Sequence, residues 1–155
     1  MFRAIEASPF SVWLRESTSV FAYPTFLSAH AIGMGLVVGV NVALALHMLG
    51  LTPGLPTREL HRFAPIVWIG FAMNVVSGVL LLVAYPTKAL TNPVFYLKLA
   101  LVAAGTWLYV AIDRRIRRDD TPAAHTAIAS LAVWASAITA GRLLAYTYHR
   151  LFVDF

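Results

Sequence analysis

Residues 26–50 have the sequence FLSAHAIGMGLVVGVNVALALHMLG, a run without any Asp, Glu, Lys or Arg. A helix needs about twenty apolar residues to cross the hydrocarbon core of a bilayer, so this run predicts a membrane span. Because a helix turns by about 100° per residue, His30, Met34, Val37 and Asn41 share one face of it. A histidine and an asparagine on one stripe of an apolar helix predict that this face points into the protein interior.

Small residues follow the same stripe. Gly33, Gly35 and Gly39 lie beside it, and small residues on a membrane helix let a neighbouring backbone, or a flat ligand, come close. We therefore expect this side of the first span to pack against another helix or against a planar group.

The composition of the whole chain is that of an integral membrane protein. Of its 155 residues, 59% are hydrophobic and only 12% are charged, and the mean hydropathy is +0.73, which is unlike a soluble domain of this size. There is no cysteine, so disulfides, thiolate metal sites, thiol catalysis and covalently attached c-type haem are excluded. The net charge of +5 comes largely from short connections between apolar runs. It therefore indicates orientation in a membrane rather than a nucleic-acid partner.

Three further apolar runs complete the predicted fold. The four predicted spans cover about 24–49, 63–85, 94–112 and 123–149. In the preceding segment, 1–23, the Ser8-Pro9 pair followed by Phe10, Trp13 and Leu14 predicts a short helix at the membrane interface. The sequence thus predicts a single domain with an all-α integral membrane fold, an up-down four-helix transmembrane bundle with a short N-terminal interfacial helix.

Basic residues predict the orientation of this bundle. Arg58 and Arg62 flank the first connection, four arginines occupy the third at positions 114, 115, 117 and 118, and the second has Lys88 alone. Cytoplasmic connections hold the excess of Lys and Arg. The first and third connections are therefore predicted to be cytoplasmic, and both termini to face outward.

Each of the other spans also has a predicted interior face. The residues concerned are Gly70, Asn74, Ser77, Gly78 and Leu81 in span two, Lys98, Leu101, Val102, Gly105 and Tyr109 in span three, and Leu131, Ala135, Ile138, Arg142, Tyr146 and His149 in span four. Trp107 falls on the opposite, lipid-facing side of span three. At about 1.5 Å of rise per residue, His30, Ser77, Lys98 and Arg142 lie roughly 7–11 Å from the outer ends of their spans. All four helices are thus predicted to bring a polar or small group to the outer third of the bundle.

Two cations and no carboxylate fall within the predicted spans. Charges inside a membrane are normally paired with each other or with a ligand, yet Lys98 and Arg142 have no acidic residue near them in the sequence of the spans. A b-type haem would supply the missing anions as propionates, with His30 as an axial ligand of the iron. The other axial position is left open between His149, Lys98 and no protein ligand. The predicted haem b site comprises His30, Met34, Ser77, Gly78, Lys98, Arg142 and His149.

The same residues have plain structural interpretations. Lys98 and Arg142 can extend to the outer surface, with Glu6 or Glu16 as partners. A lone histidine such as His30 is often a hydrogen-bonded packing residue. Glycine and methionine stripes more often pack helices together than contact a cofactor.

A second group of histidines, His47, His61 and His125, falls at the predicted cytoplasmic ends of three spans. These three side chains allow a second haem or a metal ion. Their positions beside basic connections favour surface histidines instead.

Several segments resemble a known group. The elements SAHAIGMGLVVG, HMLGL, WIGFAMNVVSGVLLLVAYPTK, NPVFYLKLALVAAG and SLAVWASAITAGRLLAY, in this order, resemble small bacterial four-helix membrane proteins of uncharacterised function, from Pro24 onward. More distantly, the histidine of span one, the Ser-Gly pair of span two and the Phe-x-x-Lys-x-x-Leu of span three are similar to copper-resistance D-type proteins and haem-binding protoporphyrinogen oxidases. The resemblance implies the bacterial inner membrane as the location, and haem-associated roles for His30 and Lys98. It does not extend to Ala45, Leu46 and His47, where group members often have Asp-Leu-Arg.

The predicted function is that of a small b-type cytochrome-like subunit. It would pass electrons between a quinone or redox partner and a larger complex of membrane or periplasmic subunits. The predicted bundle has no Ser-His-Asp arrangement, paired carboxylates or phosphate-binding loop, so a hydrolase or phosphoryl-transfer enzyme has no support. Two alternatives stay open. One is a haem-free structural or assembly subunit, which would pack against partners or against another copy of the chain, and the other is a porphyrin-oxidising enzyme or a metal permease.

Overall fold

Four long helices dominate the computed structural model of the chain. It describes residues 5–19, 21–52, 54, 56–118 and 124–151, without the side chains of 57, 58 and 148–151. In order, the elements are the N-terminal helix Pro9–Glu16, span one Tyr23–Met48, the 3-10 helix Thr57–Phe63, span two Ala64–Ala84, the short helix Pro86–Leu90, span three Pro93–Ile116 and span four Ala124–Leu151. Within the described residues every regular element is helical, and four helices are long and apolar enough to cross a membrane. This confirms the predicted all-helical fold.

The helix boundaries agree with the sequence prediction to within two residues, except at the end of span three. The sequence predicts an end near Ile112, whereas the helix continues to Ile116. The reason is an i, i+4 salt bridge in which Arg117 Nε lies 2.8 Å from Asp113 Oδ2, because such a pair stabilises helical structure in a charged segment. The first and second connections contain the short helices Thr57–Phe63 and Pro86–Leu90.

The spatial order of the spans is two, one, four, three. Span one packs closely against spans two and four, and span three packs closely against span four. Spans two and three, at the two ends of this order, approach each other mainly through side chains such as Trp68 and Tyr109, whose ring centroids lie 6.2 Å apart. One side of the bundle, between spans two and three, is therefore more open than the others.

Spans one and two touch through glycine. A Cβ atom added to Gly33 would lie 2.7 Å from the carbonyl oxygen of Gly70 and 2.9 Å from the backbone nitrogen of Asn74. Gly35 and Gly39 are exposed, and a Cβ added to either would meet no atom within 4 Å. The predicted close approach of a neighbouring helix is thus confirmed at Gly33 and wrong at Gly35 and Gly39.

The buried faces of spans one, two and three agree with the sequence prediction. Buried residues include Val37, Asn41, Gly70, Ser77, Gly105 and Tyr109. Trp107, predicted on the lipid side, is 70% exposed. For these helices the polar and small residues mark the interior face correctly.

The interior face predicted for span four is wrong by roughly a third of a turn. The buried residues are Ala127, Ser130, Trp134, Ala137 and Ala140. The predicted interior positions Ala135, Ile138, Arg142 and Tyr146 are exposed. Trp134 packs on span three, with a ring atom 2.8 Å from where a Cβ on Gly105 would lie. A large apolar ring therefore sets the rotation of this helix, and the arginine does not.

The N-terminal helix covers the end of span two. Ser11 Oγ donates a hydrogen bond to the carbonyl oxygen of Val83 at 2.9 Å, and an Arg15 guanidinium nitrogen donates to that of Ala84 at 3.0 Å. The last carbonyl groups of a helix have no partner within the helix. These two side chains supply partners, which fixes the short helix to the bundle.

Two aromatic residues of the N-terminal helix remain on the surface. The rings of Phe10 and Trp13 stack with centroids 6.1 Å apart, and both side chains are exposed. Exposed aromatic rings at this level suit the predicted interface helix. Leu14 of the same helix is fully buried. We call this end of the bundle, with Pro9–Glu16 and Pro86–Leu90, the N-terminal end, and the opposite end, with Thr57–Phe63 and the arginines at 114–118, the arginine end.

Candidate functional site

A histidine and a lysine meet between the spans, towards the N-terminal end. His30 of span one and Lys98 of span three are half-buried, and Lys98 Nζ lies 3.2 Å from His30 Nε2. Gly78 of span two adjoins the imidazole, since a Cβ added there would lie 3.2 Å from Cε1. Gly141 of span four adjoins the lysine, since its added Cβ would lie 3.7 Å from Lys98 Cε. All four spans thus contact this pair.

The hydrogen-bond partners of His30 assign its tautomer. Nδ1 lies 3.1 Å from the carbonyl oxygen of Asn74 and 3.1 Å from Ser77 Oγ. The carbonyl can only accept, and the Ser77 hydroxyl donates its hydrogen to the carbonyl oxygen of Met73 at 2.6 Å. The hydrogen between these atoms and His30 is therefore on Nδ1. In a neutral imidazole Nε2 is then an acceptor, and the Lys98 ammonium, which has only donors, supplies the N–H.

Asn74 binds His30 in both directions. Its side-chain amide donates to the carbonyl oxygen of His30 at 2.9 Å, while its own carbonyl oxygen accepts from the ring. This reciprocal pair joins spans one and two and holds the imidazole in one orientation, with Nε2 directed at span three. Fixing a histidine through its Nδ1–H is typical of histidines that act as metal ligands or bases through the other nitrogen.

Lys98 has no acidic partner within the described part of the chain. Its one polar contact there is His30 Nε2. Glu6, a predicted partner, instead accepts a hydrogen bond from the Thr87 hydroxyl at 2.6 Å. The Lys98 ammonium therefore has no counter-charge among the described residues.

Two other predicted site residues, Met34 and Arg142, form no hydrogen bond with the pair. Arg142 directly follows Gly141, but its side chain is exposed and forms no salt bridge with the residues described. Met34 packs against the apolar core. The side chain of His149 lies outside the described residues, so its predicted role as an axial ligand stays a prediction.

Sequence reasoning missed two features of this site. The sequence predicts Asn74 on the interior face but not in the site, although a residue four positions from Gly78 and three from Ser77 lies beside both. Gly141 was not singled out. An isolated glycine in an apolar helix, directly before Arg142, is the signal that could have drawn attention to it.

The other histidines do not form a metal site in the part of the chain that the structure describes. No group of three or more His, Asp or Glu side chains there could hold a metal ion. His47 Nδ1 instead lies 3.0 Å from Thr52 Oγ1, and His125 is exposed. His47 and His61 are half-buried and His125 is exposed, so the preference for surface histidines agrees with the structure only at His125.

The pair has the chemical groups that a haem b needs, an imidazole nitrogen for the iron and an ammonium for a propionate. The space beside that nitrogen, however, is occupied by Lys98. His30 Nε2, the atom that would bind the iron, is in contact with Lys98 Nζ, and Gly78 closes on the edge of the ring. Two surface grooves of ≈ 380 and ≈ 470 Å³ are lined by other residues. In this arrangement Lys98 Nζ occupies the place beside Nε2 that the iron would take, so haem binding at His30 requires Lys98 to leave.

The fold and the site together define a class, an all-helical chain with four helices able to cross a membrane and a basic pair between them. No family model matches the sequence, and none of the curated proteins or solved structures matches it. The site is therefore the basis of the functional proposal.

Proposed function

We propose that the chain is a multi-pass membrane subunit, inserted with both termini outward, that binds the carboxylate of an amphiphilic ligand at Lys98. The contact between Lys98 and His30, without any carboxylate among the described neighbours, carries the proposal. A neutral imidazole offsets little of an ammonium charge in an interior of low dielectric constant. A ligand carboxylate would offset it.

His30 holds the lysine in a position to bind such a ligand. Nε2 accepts one of the three ammonium hydrogens, which leaves the other two for a carboxylate. Hydrogen bonds between two charged groups are stronger than those between neutral groups. Gly141 leaves room beside the lysine, because even an added Cβ would make only ordinary contacts with it, at 3.7–3.9 Å. The exposed Arg142 adds a second positive charge nearby, which attracts an anion.

Palmitate tests this proposal, because it carries one carboxylate on an apolar chain. We expect the purified protein in non-ionic detergent to bind palmitate at one site in native mass spectrometry. Palmityl alcohol, which lacks the charge, should bind about tenfold more weakly. Lys98→Met keeps an unbranched side chain, one atom shorter, but removes its charge, and should weaken palmitate binding about tenfold.

Lys88→Met is the matched control, because Lys88 lies in the short helix Pro86–Leu90, outside the site. We expect this variant to bind palmitate as the unmodified chain does. If both lysine variants bind palmitate equally well, Lys98 is not the carboxylate-binding group.

A b-type cytochrome-like electron-transfer subunit is the second candidate, and the tautomer of His30 favours it. The Nδ1–H bound to a backbone carbonyl leaves the electron pair on Nε2, the tautomer in which histidine binds iron. Haem b, with its two propionates, would supply the carboxylates for Lys98 and would exchange single electrons with a quinone or a redox partner. This candidate requires that Lys98 leave Nε2.

The visible spectrum separates the two candidates. A cytochrome purified with haem supplied in excess should show a Soret band and an α-band that appears on reduction. His30→Ala should abolish both bands, and His47→Ala should retain them. A colourless protein that binds palmitate supports the first candidate. A protein that binds neither ligand supports the haem-free structural subunit, in which the histidine network only joins the spans.

A further inference from the structure

We infer that the open side of the bundle, between spans two and three, binds one anionic phospholipid, with an acyl chain in the groove and the phosphate at Arg114. The groove has a volume of ≈ 380 Å³. Its wall includes Phe71, Ala103, Thr106, Trp107, Val110 and Arg114. It exists because spans two and three are not packed closely against each other. It is distinct from the His30–Lys98 pair, which contributes nothing to its lining.

The length of the groove matches one leaflet of a bilayer. Ala103 lies near the midpoint of span three, Pro93–Ile116, and Arg114 lies near its end. The two are separated by about 16 Å at 1.5 Å per residue, and half of a hydrocarbon core is about 15 Å thick. The Thr106 hydroxyl donates to the carbonyl oxygen of Val102 at 2.8 Å. The hydroxyl of Thr106 therefore already has a hydrogen-bond partner, and the rest of the wall between the two ends is apolar. Such a surface suits an acyl chain.

Arg114 is available to a phosphate. Its side chain is exposed, and the neighbouring Asp113 is bound to Arg117 at 2.8 Å. Within the described residues no carboxylate contacts Arg114. A guanidinium group binds phosphate oxygens through two parallel hydrogen bonds, and basic groups between membrane helices on the cytoplasmic side bind anionic head groups. In the orientation proposed above, this end of the groove faces the anionic leaflet.

Native mass spectrometry with two lipids of identical chains tests the phosphate contact. We expect phosphatidylglycerol to bind about fivefold more tightly than phosphatidylcholine, because one arginine near an anionic head group adds about 1 kcal/mol of attraction. Arg114→Gln should abolish this preference. Arg115→Gln removes an equal charge from the next residue, which does not line the groove, and should retain it. If the two variants lose the preference equally, lipid is attracted by the basic end as a whole and the inference is wrong.

A second pair of variants tests the acyl chain without changing charge. Ala103→Trp places an indole in the groove, and should lower phosphatidylglycerol binding about fourfold for each acyl CH₂ group that it displaces. Leu99→Trp changes an exposed position of the same helix outside the groove, and should leave binding unchanged. Unaltered binding in Ala103→Trp contradicts the inference. The protein could instead form a dimer without bound lipid, and Ala103→Trp could dissociate that dimer. This result would identify a second copy of the chain as the occupant of the groove and would overturn the inference.

Discussion

Replacing Gly33 with alanine is expected to lower the free energy of unfolding by about 3 kcal/mol, the upper end of what overpacking costs. The added methyl group would lie 2.7 Å from the carbonyl oxygen of Gly70 and 2.9 Å from the backbone nitrogen of Asn74. Both are backbone atoms, so spans one and two must separate. That separation also stretches the reciprocal hydrogen bonds between His30 and Asn74, which is why we expect a cost at the upper end.

Gly39→Ala is the control for this effect. Gly39 lies in the same helix, but nothing lies within 4 Å of an added Cβ. Alanine favours a helix over glycine by up to about 1 kcal/mol, so this variant should be neutral or slightly stabilising. Unfolding by SDS in mixed micelles, followed by circular dichroism, measures both variants. Equal stabilities would show that spans one and two do not touch at Gly33.

Replacing His30 with alanine is expected to lower the free energy of unfolding by about 2–4 kcal/mol. The change leaves the Lys98 ammonium without its acceptor and the Asn74 carbonyl without its ring donor. Adding Lys98→Met to the same chain removes the stranded charge. The double variant should therefore be more stable than His30→Ala alone, by about 1–2 kcal/mol.

The four members of this double-mutant cycle are measured by the same SDS unfolding. A coupling between the two positions is expected because they are in direct contact. His47→Ala controls for the loss of a histidine elsewhere in span one. If the effects of His30→Ala and Lys98→Met simply add, the two side chains do not interact.

The spans and their levels were predictable because both follow from regular helix geometry. Hydrophobic runs set the lengths of the helices, and a fixed rise and rotation per residue set depth and facing. His30, Gly78 and Lys98 are on three different helices, yet their common level could be predicted by counting from the helix ends. In the structure, the His30 imidazole contacts the Lys98 ammonium and lies beside the backbone of Gly78.

The rotation of span four and the open side of the bundle could not be predicted in this way. Arg142 suggests an interior face by its chemistry, but Trp134 gains more by packing on Gly105 and turns the helix away. The order of the four spans depends on which pairs fit most closely, as at Gly33 and Gly70. Such packing depends on the side chains of two helices together, so the periodicity of one helix cannot predict it.

The tautomer of His30 could not be predicted from the sequence either. It depends on two acceptors, the Asn74 carbonyl and the Ser77 hydroxyl, that both meet Nδ1. A single sequence shows that a histidine and a lysine share a level. It does not show which ring nitrogen faces the lysine, and that nitrogen decides the chemistry of the pair.

The ¹⁵N NMR spectrum of the His30 ring, recorded in detergent with and without palmitate, tests the central claim most directly. We predict a hydrogen on Nδ1, none on Nε2, and an Nε2 resonance that moves when palmitate draws Lys98 away. The same movement should be absent in Lys98→Met. A hydrogen on Nε2, or an Nε2 resonance that neither palmitate nor Lys98→Met alters, would contradict the assignment of Lys98 and His30 as a carboxylate-binding pair.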